Sequence, residues 1–417
     1  MAWLKYRSRS FDRIFLCQAI RHRHMAAPNA VAAPARTWAF STCAVLAAAL
    51  SALLCGYAPN QETRSPSTGD CASAVVVDDT ASLLQHAVEV LPNHGGLRSA
   101  HGGSAHQAAA EGAAVQQQRD EGRKKPNVVF ILADDLGSGD LKVFAGENNT
   151  IIETPAIDRL AEGGMLLKKY YAQPMCTPTR AAIHTGRYPI RYGLQHLVIK
   201  PTAPFSLATD EPTLPQAFKA AGYSTHAVGK WHLGHNTWNA TPSFRGYNTW
   251  VGYYNDEVGP FDQYRDGFYD WHRQRRPNCG QDCTETDWSA KGAYNTHIIT
   301  DEAVKIISDR SSDGKPFFLY VAYENVHTPC EVPEGYAEPY KEKVQDRTRQ
   351  IYAGMVAALD EGVGKITAAL EESGMLDDTI IVFGSDNGGP VEMPGILNCG
   401  DGSWNQNTGA TNFPLRG

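Results

Sequence analysis

"NVVFILADDLG", residues 127–137, decides the fold. A short apolar run rich in β-branched residues suits a strand buried on both faces, and this one ends in two acids, Asp134 and Asp135. The same grammar recurs downstream. "TPAIDRLAEGG" (154–164) reads as a helix, with Thr154 as its cap, Pro155 at its first position and Gly163 as its stop. "TLPQAFKAAGY" (213–223) repeats the device before a strand, "STHAVGK" (224–230). The helix "TDEAVKIISDR" (300–310) leads to the strand "PFFLYVAYENVH" (316–327). Over 347–372, Ile351, Met355, Leu359, Val363, Ile366 and Leu370 recur at spacings of three and four, one apolar helical face. A last strand, "TIIVFGSDNGG" (379–389), follows. Strands alternating with helices predict a mostly parallel, doubly wound α/β sheet flanked by helices.

Ligands of such sheets bind beyond the carboxyl ends of the strands. The chemistry-bearing residues fall there: Asp134 and Asp135, then Lys230 and His232, then His327, then Asp386 and Asn387. The acids and the amide are hard oxygen donors, suited to Ca²⁺ or Mg²⁺ and not to zinc. Any one pair could equally start a turn or cap a helix; two pairs at corresponding strand ends weigh towards a metal. Lys230, His232 and His327 could surround an anion, although singly a surface lysine and a core histidine are the plainer readings.

Cys176 lies in "QPMCTPTRAAIHTGRYP" (173–189), a loop entering a helix. A thiol at a helix N-terminus has a lowered pKa, and Arg180 lies one turn on, facing the same side. From these residues alone a reactive, anion-facing cysteine and a structural or disulfide-bonded one remain open.

Bulk properties narrow the class. The chain has 417 residues, 42% hydrophobic and 20% charged, enough for a sizeable core. A net charge of −7, with no basic stripe after residue 125, argues against a nucleic-acid partner. Residues 1–37 are basic, and 38–57 run for 20 residues without a charge, the length of a bilayer span. With the basic flank kept cytosolic, 38–57 is either a signal anchor or a signal peptide. Residues 58–125 have no aromatic side chain and are rich in Ala, Gly, Gln and charge, the composition of a disordered linker. The catalytic domain is then 126–417. Sequons at Asn148 and Asn239, and Cys279, Cys283, Cys330 and Cys399 as disulfide candidates, fit a secretory-pathway lumen or the cell exterior, with single-pass membrane anchorage as an option. The aromatic-rich stretch 248–274 is as apt for a packed wall as for stacking on sugars.

C-x-P-x-R at 176–180 followed by "TGRYP" (185–189) resembles the signature of type I, formylglycine-dependent sulfatases. "ADDLG", "AGYSTHAVGKWHLG", "YAGMVAALDEGVG" and "SDNGG" occur in that family's order, and the arylsulfatase B-like branch is the nearest in appearance. The resemblance implies an alkaline-phosphatase-like fold, a bound Ca²⁺, a sulfated small molecule or glycan as substrate, and a formylglycine-generating oxidase that converts Cys176 to 3-oxoalanine. It implies Asp134, Asp135, Asp386, Asn387 and the modified Cys176 as calcium ligands. It further implies that Arg180 holds the formylglycine, that Lys230 contacts a sulfate oxygen, and that His232 and His327 act as base and acid. The hydrated aldehyde would attack sulfur with one hydroxyl and release sulfate through the other, dividing one difficult step into two. Relatives also continue beyond "NFPLRG" with a second active-site lysine, more strands and a small C-terminal domain; on that comparison this chain is C-terminally truncated, with impaired activity or folding expected. Two alternatives accompany the sulfatase reading: a catalytically impaired form that binds sulfated glycans, and a formylglycine-dependent phosphodiesterase or phosphonate hydrolase.

Overall fold

The computed structural model describes residues 2–5, 124–146, 151–391 and 409–415. The expected anchor or signal peptide, nearly all of the linker, Asn148 and Cys399 lie outside the described residues. Among the described residues no helix is long and apolar enough to cross a membrane.

The strands in chain order are β1 (Ala2–Lys5), β2 (Asn127–Ala133), β3 (Met165–Leu167), β4 (Ser224–Gly229), β5 (Thr249–Gly252), β6 (Tyr264–Arg265), β7 (Phe268–Tyr269), β8 (His272–Gln274), β9 (Thr284–Thr286), β10 (Phe317–Ala322) and β11 (Thr379–Ser385). Nine of them form one sheet in the order β3-β1-β11-β2-β10-β4-β5-β8-β9, and β6 pairs with β7 as a separate hairpin. The centre, β11-β2-β10-β4-β5, is parallel throughout, so all five strands end at the same edge. Both flanks are antiparallel. From the sequence, residues 1–37 stand apart from the catalytic domain; Ala2–Lys5 instead pair with β11 and β3.

Helices cover both faces: α1 (Pro155–Glu162), α2 (Cys176–Thr185), α3 (Leu214–Ala220), α4 (Asn295–Arg310) and α5 (Arg347–Glu372). Successive residues of β2 serve opposite faces. Val129 and Ile131 join a cluster with Leu359 and Val363 of α5; Val128 and Phe130 join another with Ile183 of α2 and Phe218 of α3. A strand clad on both sides has no polar face to show, which is why β2 reads as an unbroken apolar run.

Three expectations need correction. Thr154 stands at the N-cap position of α1, but its side chain makes no capping bond. The side chain of Asp360, on α5, accepts from the N–H groups of Ala156 (3.1 Å) and Ile157 (2.8 Å), so the orphan donors of one helix are satisfied by another. Helix α4 starts at Asn295, not near 300, because Asn295 and Thr296 bond to the side chains of Glu324 and Asn325 beyond β10. Strand β10 ends at Ala322, well short of His327, so the following residues turn across the sheet edge.

Candidate active site

The site grows from the ends of the parallel strands. Strand β2 delivers Asp134 and Asp135, β11 delivers Asp386 and Asn387, β4 delivers Lys230 and His232, and the turn after β10 delivers His327. At the close of β4 only glycine fits. Gly229 has φ +93°, and a Cβ there would lie 1.9 Å from the carbonyl oxygen of Ala322. That close approach lets the Lys230 N–H bond to the same carbonyl at 3.0 Å. Asp135 (φ 59°) and His232 (φ 54°) hold left-handed backbone conformations that non-glycine residues rarely adopt, the kind of strain that clusters at functional sites.

Charges crowd together out of water. Asp134, Arg180, Lys230 and Asp386 have side chains with no exposure at all. Arg180 reaches Asp386 Oδ2 through Nε (3.1 Å) and Nη2 (2.8 Å), and Asp134 Oδ2 through Nη2 (3.3 Å). Lys230 Nζ donates to Asp134 Oδ2 at 2.5 Å. The Asp135 N–H donates to Asp386 Oδ1 (3.2 Å), and Asn387 Nδ2 donates to Asp135 Oδ1 (2.5 Å). Burial opposes ionisation of Asp134, yet the Lys230 and Arg180 cations hold its carboxyl below the usual range. Burial, with Asp134 beside it, pushes Asp386 up to about 6.

Cys176 opens α2 and is buried, its Sγ 3.5 Å from Asp134 Oδ1. The helix terminus predicts a lowered thiol pKa; the structure gives the reverse. Burial, with Asp134 and Asp386 close by, raises it well above the normal thiol value. As a plain thiol this is a poor nucleophile. Cys279 and Cys283 are disulfide-bonded to each other, Cys330 is disulfide-bonded as well, and among the described residues Cys176 is the free cysteine.

One donor atom from each of Asp134, Asp135, Cys176 and His327 can be chosen so that all lie within 4.8 Å of one another. The residues fit a hard cation. Carboxylate oxygens supply the charge, and Asn387 Oδ1 is buried with no hydrogen-bond partner, an arrangement that is costly unless a ligand takes it. From the sequence His327 is an acid and not a ligand; its nearness to this group is a structural finding.

The two histidines are each tied by one ring nitrogen. His232 Nε2 lies 3.1 Å from the Ile199 carbonyl oxygen, and its Nδ1 is buried without a partner. Burial, then Lys230, drives its pKa well below the ordinary value. His327 Nδ1 lies 2.5 Å from the Thr328 carbonyl oxygen, and its Nε2 is 3.8 Å from Asp135 Oδ2. Burial works against its charge, but Asp135 and Asp134 raise it to about 9.

Asp135, Cys176, His232, His327 and Asn387 border a cavity of about 1200 Å³. Its wall also carries Lys200, Asp256, Glu257 and Arg265, which were not singled out in the sequence. Asp256 and Glu257 follow β5, a fifth parallel strand of only four residues, "TWVG", and lie four and five residues beyond its end, too far for the strand-then-acid signal seen elsewhere. The aromatic stretch divides. Trp250, Tyr253 and Trp271 are wholly buried as a wall, whereas Phe268 stands 77% exposed on the hairpin.

The sulfatase family profile matches residues 126–415, and the chain belongs to the sulfatase family. It is 39% identical over 301 residues to arylsulfatase J of Mus musculus, a match spanning 71% of this chain and 46% of that protein. It is 34% identical over 285 residues to N-acetylgalactosamine-6-sulfatase of Homo sapiens (63% and 50%), and 31% identical over 298 residues to arylsulfatase A of Homo sapiens (67% and 56%). The chain thus spans about half the length of the curated relatives it matches. Among solved structures it is similar to Ps i-CgsB, at 30% identity and TM-score 0.59 over 70% of this chain and 61% of that one. It is also similar to the PsFucS1 sulfatase from Pseudoalteromonas sp., at 26% identity and TM-score 0.54 over 68% and 59%. The sheet is accordingly of the alkaline-phosphatase-like α/β class.

Proposed function

We propose that this chain carries the catalytic centre of a hydrolase for sulfate esters, with Cys176 as the position of attack. One observation carries the reading: strand ends and helix α2 bring Asp134, Asp386, Arg180 and Lys230 into one buried charge cluster, with Cys176 Sγ 3.5 Å from Asp134 Oδ1 and with His232 and His327 on the wall of the cavity that Cys176 lines. Asp134, Asp135, Asp386 and Asn387 would hold a Ca²⁺ ion, which when bound supplies positive charge against sulfate oxygens. The C-x-P-x-R run at 176–180 supports formylglycine at Cys176, which would supply a hydrated aldehyde as the nucleophile.

The remaining roles belong to the chain's own groups. Arg180 and Lys230 pair with Asp386 and Asp134 and so hold those carboxylates in place beside Cys176. Neutral His232, with Nε2 committed to Ile199 and Nδ1 free, is placed to accept a proton beside Cys176. His327, with Nδ1 committed to Thr328, keeps Nε2 for giving a proton to the departing alcohol. The cavity exceeds the usual range for a small ligand and leaves room for a sugar beyond the ester. The relative Ps i-CgsB, solved in complex with k-i-k-neocarrahexaose, supports a glycan substrate. The disulfides at Cys279–Cys283 and Cys330 support an oxidising compartment, where a formylglycine-generating oxidase would act on Cys176.

The test has two parts. Mass spectrometry of the peptide spanning residues 173–187 should show the thiol replaced by an aldehyde. The purified chain should release sulfate from an aryl sulfate and lose that activity to a calcium chelator. An unmodified thiol, or turnover of an aryl phosphonate in preference to the sulfate, overturns the reading.

A further inference from the structure

We propose that Glu257 is a positioning residue for His327, itself held in place by Arg265. The proposal rests on the sulfatase reading for the role of His327, and on geometry for everything else. Glu257 divides its carboxylate among three partners. Oε2 lies 3.4 Å from His327 Nδ1 and accepts from the Thr328 hydroxyl at 3.5 Å; Oε1 lies 3.0 Å from Arg265 Nη1. Arg265 is anchored independently, for its Nε and Nη2 clasp the two oxygens of Asp256 at 2.8 and 3.1 Å. The backbone is pinned one residue later, where the Val258 N–H donates to the buried Glu324 Oε1 at 2.7 Å. The hairpin residue Arg265 therefore fixes two neighbouring acids, and one of them reaches the histidine.

A histidine can offer only one ring nitrogen to a reacting group, and the partner of the other nitrogen sets which one. The Thr328 carbonyl selects Nδ1–H, but a carbonyl on the very next residue moves with the turn it belongs to. Glu257 comes from a different segment, after β5, and ties the ring to the body of the domain. Its contact is at Nδ1, so it orients the ring without engaging Nε2. Glu257 forms no bond to substrate and transfers no proton.

The experiment compares full-length wild-type protein with Glu257→Ala, Glu257→Gln and Arg265→Gln, using two esters: an alkyl sulfate, whose alcohol needs a proton to leave, and a nitrophenyl sulfate, whose phenolate does not. Glu257→Ala should lower kcat for the alkyl ester about 10- to 100-fold, the range for partners that orient a functional histidine. KM should stay within about twofold and the nitrophenyl ester should be little affected. Glu257→Gln keeps an acceptor oxygen and should recover most of the loss, and Arg265→Gln should show the same pattern more weakly. A rise in KM alone would make Glu257 a substrate contact, and equal slowing of both esters would make its effect structural; either result overturns the proposal. A second arm needs no turnover: ¹⁵N spectra of histidine-labelled protein, with the His327 signals assigned from His327→Asn. Displacement of the His327 ring nitrogens in Glu257→Ala supports the proposal, and an unchanged ring overturns it. If wild type hydrolyses neither ester, the sulfatase reading fails, and the spectra still decide whether Glu257 holds His327.

Discussion

The end of β4 and the turn after β10 each present a histidine to one cavity, and the two are built as opposites. His232 is 1% exposed, is tied to the Ile199 carbonyl and has Lys230 two residues away as its strongest electrostatic neighbour, so burial and a cation together keep it neutral. His327 faces Asp135 and Glu257, so carboxylates favour its charged form in spite of burial. The proposed acid and base roles rest on that difference in surroundings. What differs between them is the residues each strand end supplies around the ring.

The comparison breaks most completely at the residue both histidines are proposed to serve. Cys176→Ala should reduce turnover about 10⁴-fold or more, and adding His232→Asn or His327→Asn should cost little further, because groups acting as one unit are not additive. Steady-state rates of the single and double variants measure this. Independent, multiplying losses would mean that at least one histidine acts elsewhere. The next effect separates the two. His232→Asn should lower the steady-state rate about 10²- to 10⁴-fold while the alcohol still departs in a burst; in single-turnover experiments sulfate should lag behind it. Simultaneous release of both products would remove His232 from the second half of the reaction. His327→Asn should instead act on departure of the alcohol. The expected loss is about 10²-fold for an alkyl sulfate and close to none for a nitrophenyl sulfate. A loss independent of the leaving group would place His327 with the metal-facing acids and not with the acid catalyst.

The strand framework behind this contrast is legible in the sequence alone; the opposed electrostatics are not. Strands buried on both faces announce themselves as apolar runs, and β2, β4, β10 and β11 could be read along with the residues that follow them. The resemblance at Cys176 and Arg180 pointed to the same edge. What stayed hidden has particular causes. Strand β5 has four residues, too few for periodicity to register, and with it went Asp256 and Glu257. The cap on α1 comes from Asp360, some 200 residues away in sequence, so a local signal at Thr154 misled. The thiol pKa of Cys176 runs against its helix terminus because that is a local feature, whereas burial, Asp134 and Asp386 reach the thiol only through the tertiary fold. Local rules reach what one segment decides; the electrostatics of the site belong to several segments at once.

The smallest expected effect concerns the support behind His327. Glu324 is 2% exposed, and the N–H of His327 donates to its backbone carbonyl at 2.8 Å. Burial raises its carboxyl from the ordinary 4.5 to about 8, although the Val258 N–H opposes the shift. The unfolded chain releases this proton near the ordinary value and the folded chain only near 8, so between those limits the native state binds more protons. Stability must then fall as pH rises through that window, since it declines wherever the folded form holds the extra proton. Glu324→Gln removes the titration while keeping an oxygen for Val258. The wild-type minus variant difference in Tm, followed from pH 5 to pH 8.5, should therefore shift steadily against the wild type. A flat difference would mean that Glu324 is already ionised at neutral pH. The His327 end of the cavity would then carry one more buried negative charge, sharpening the opposition between the two histidines.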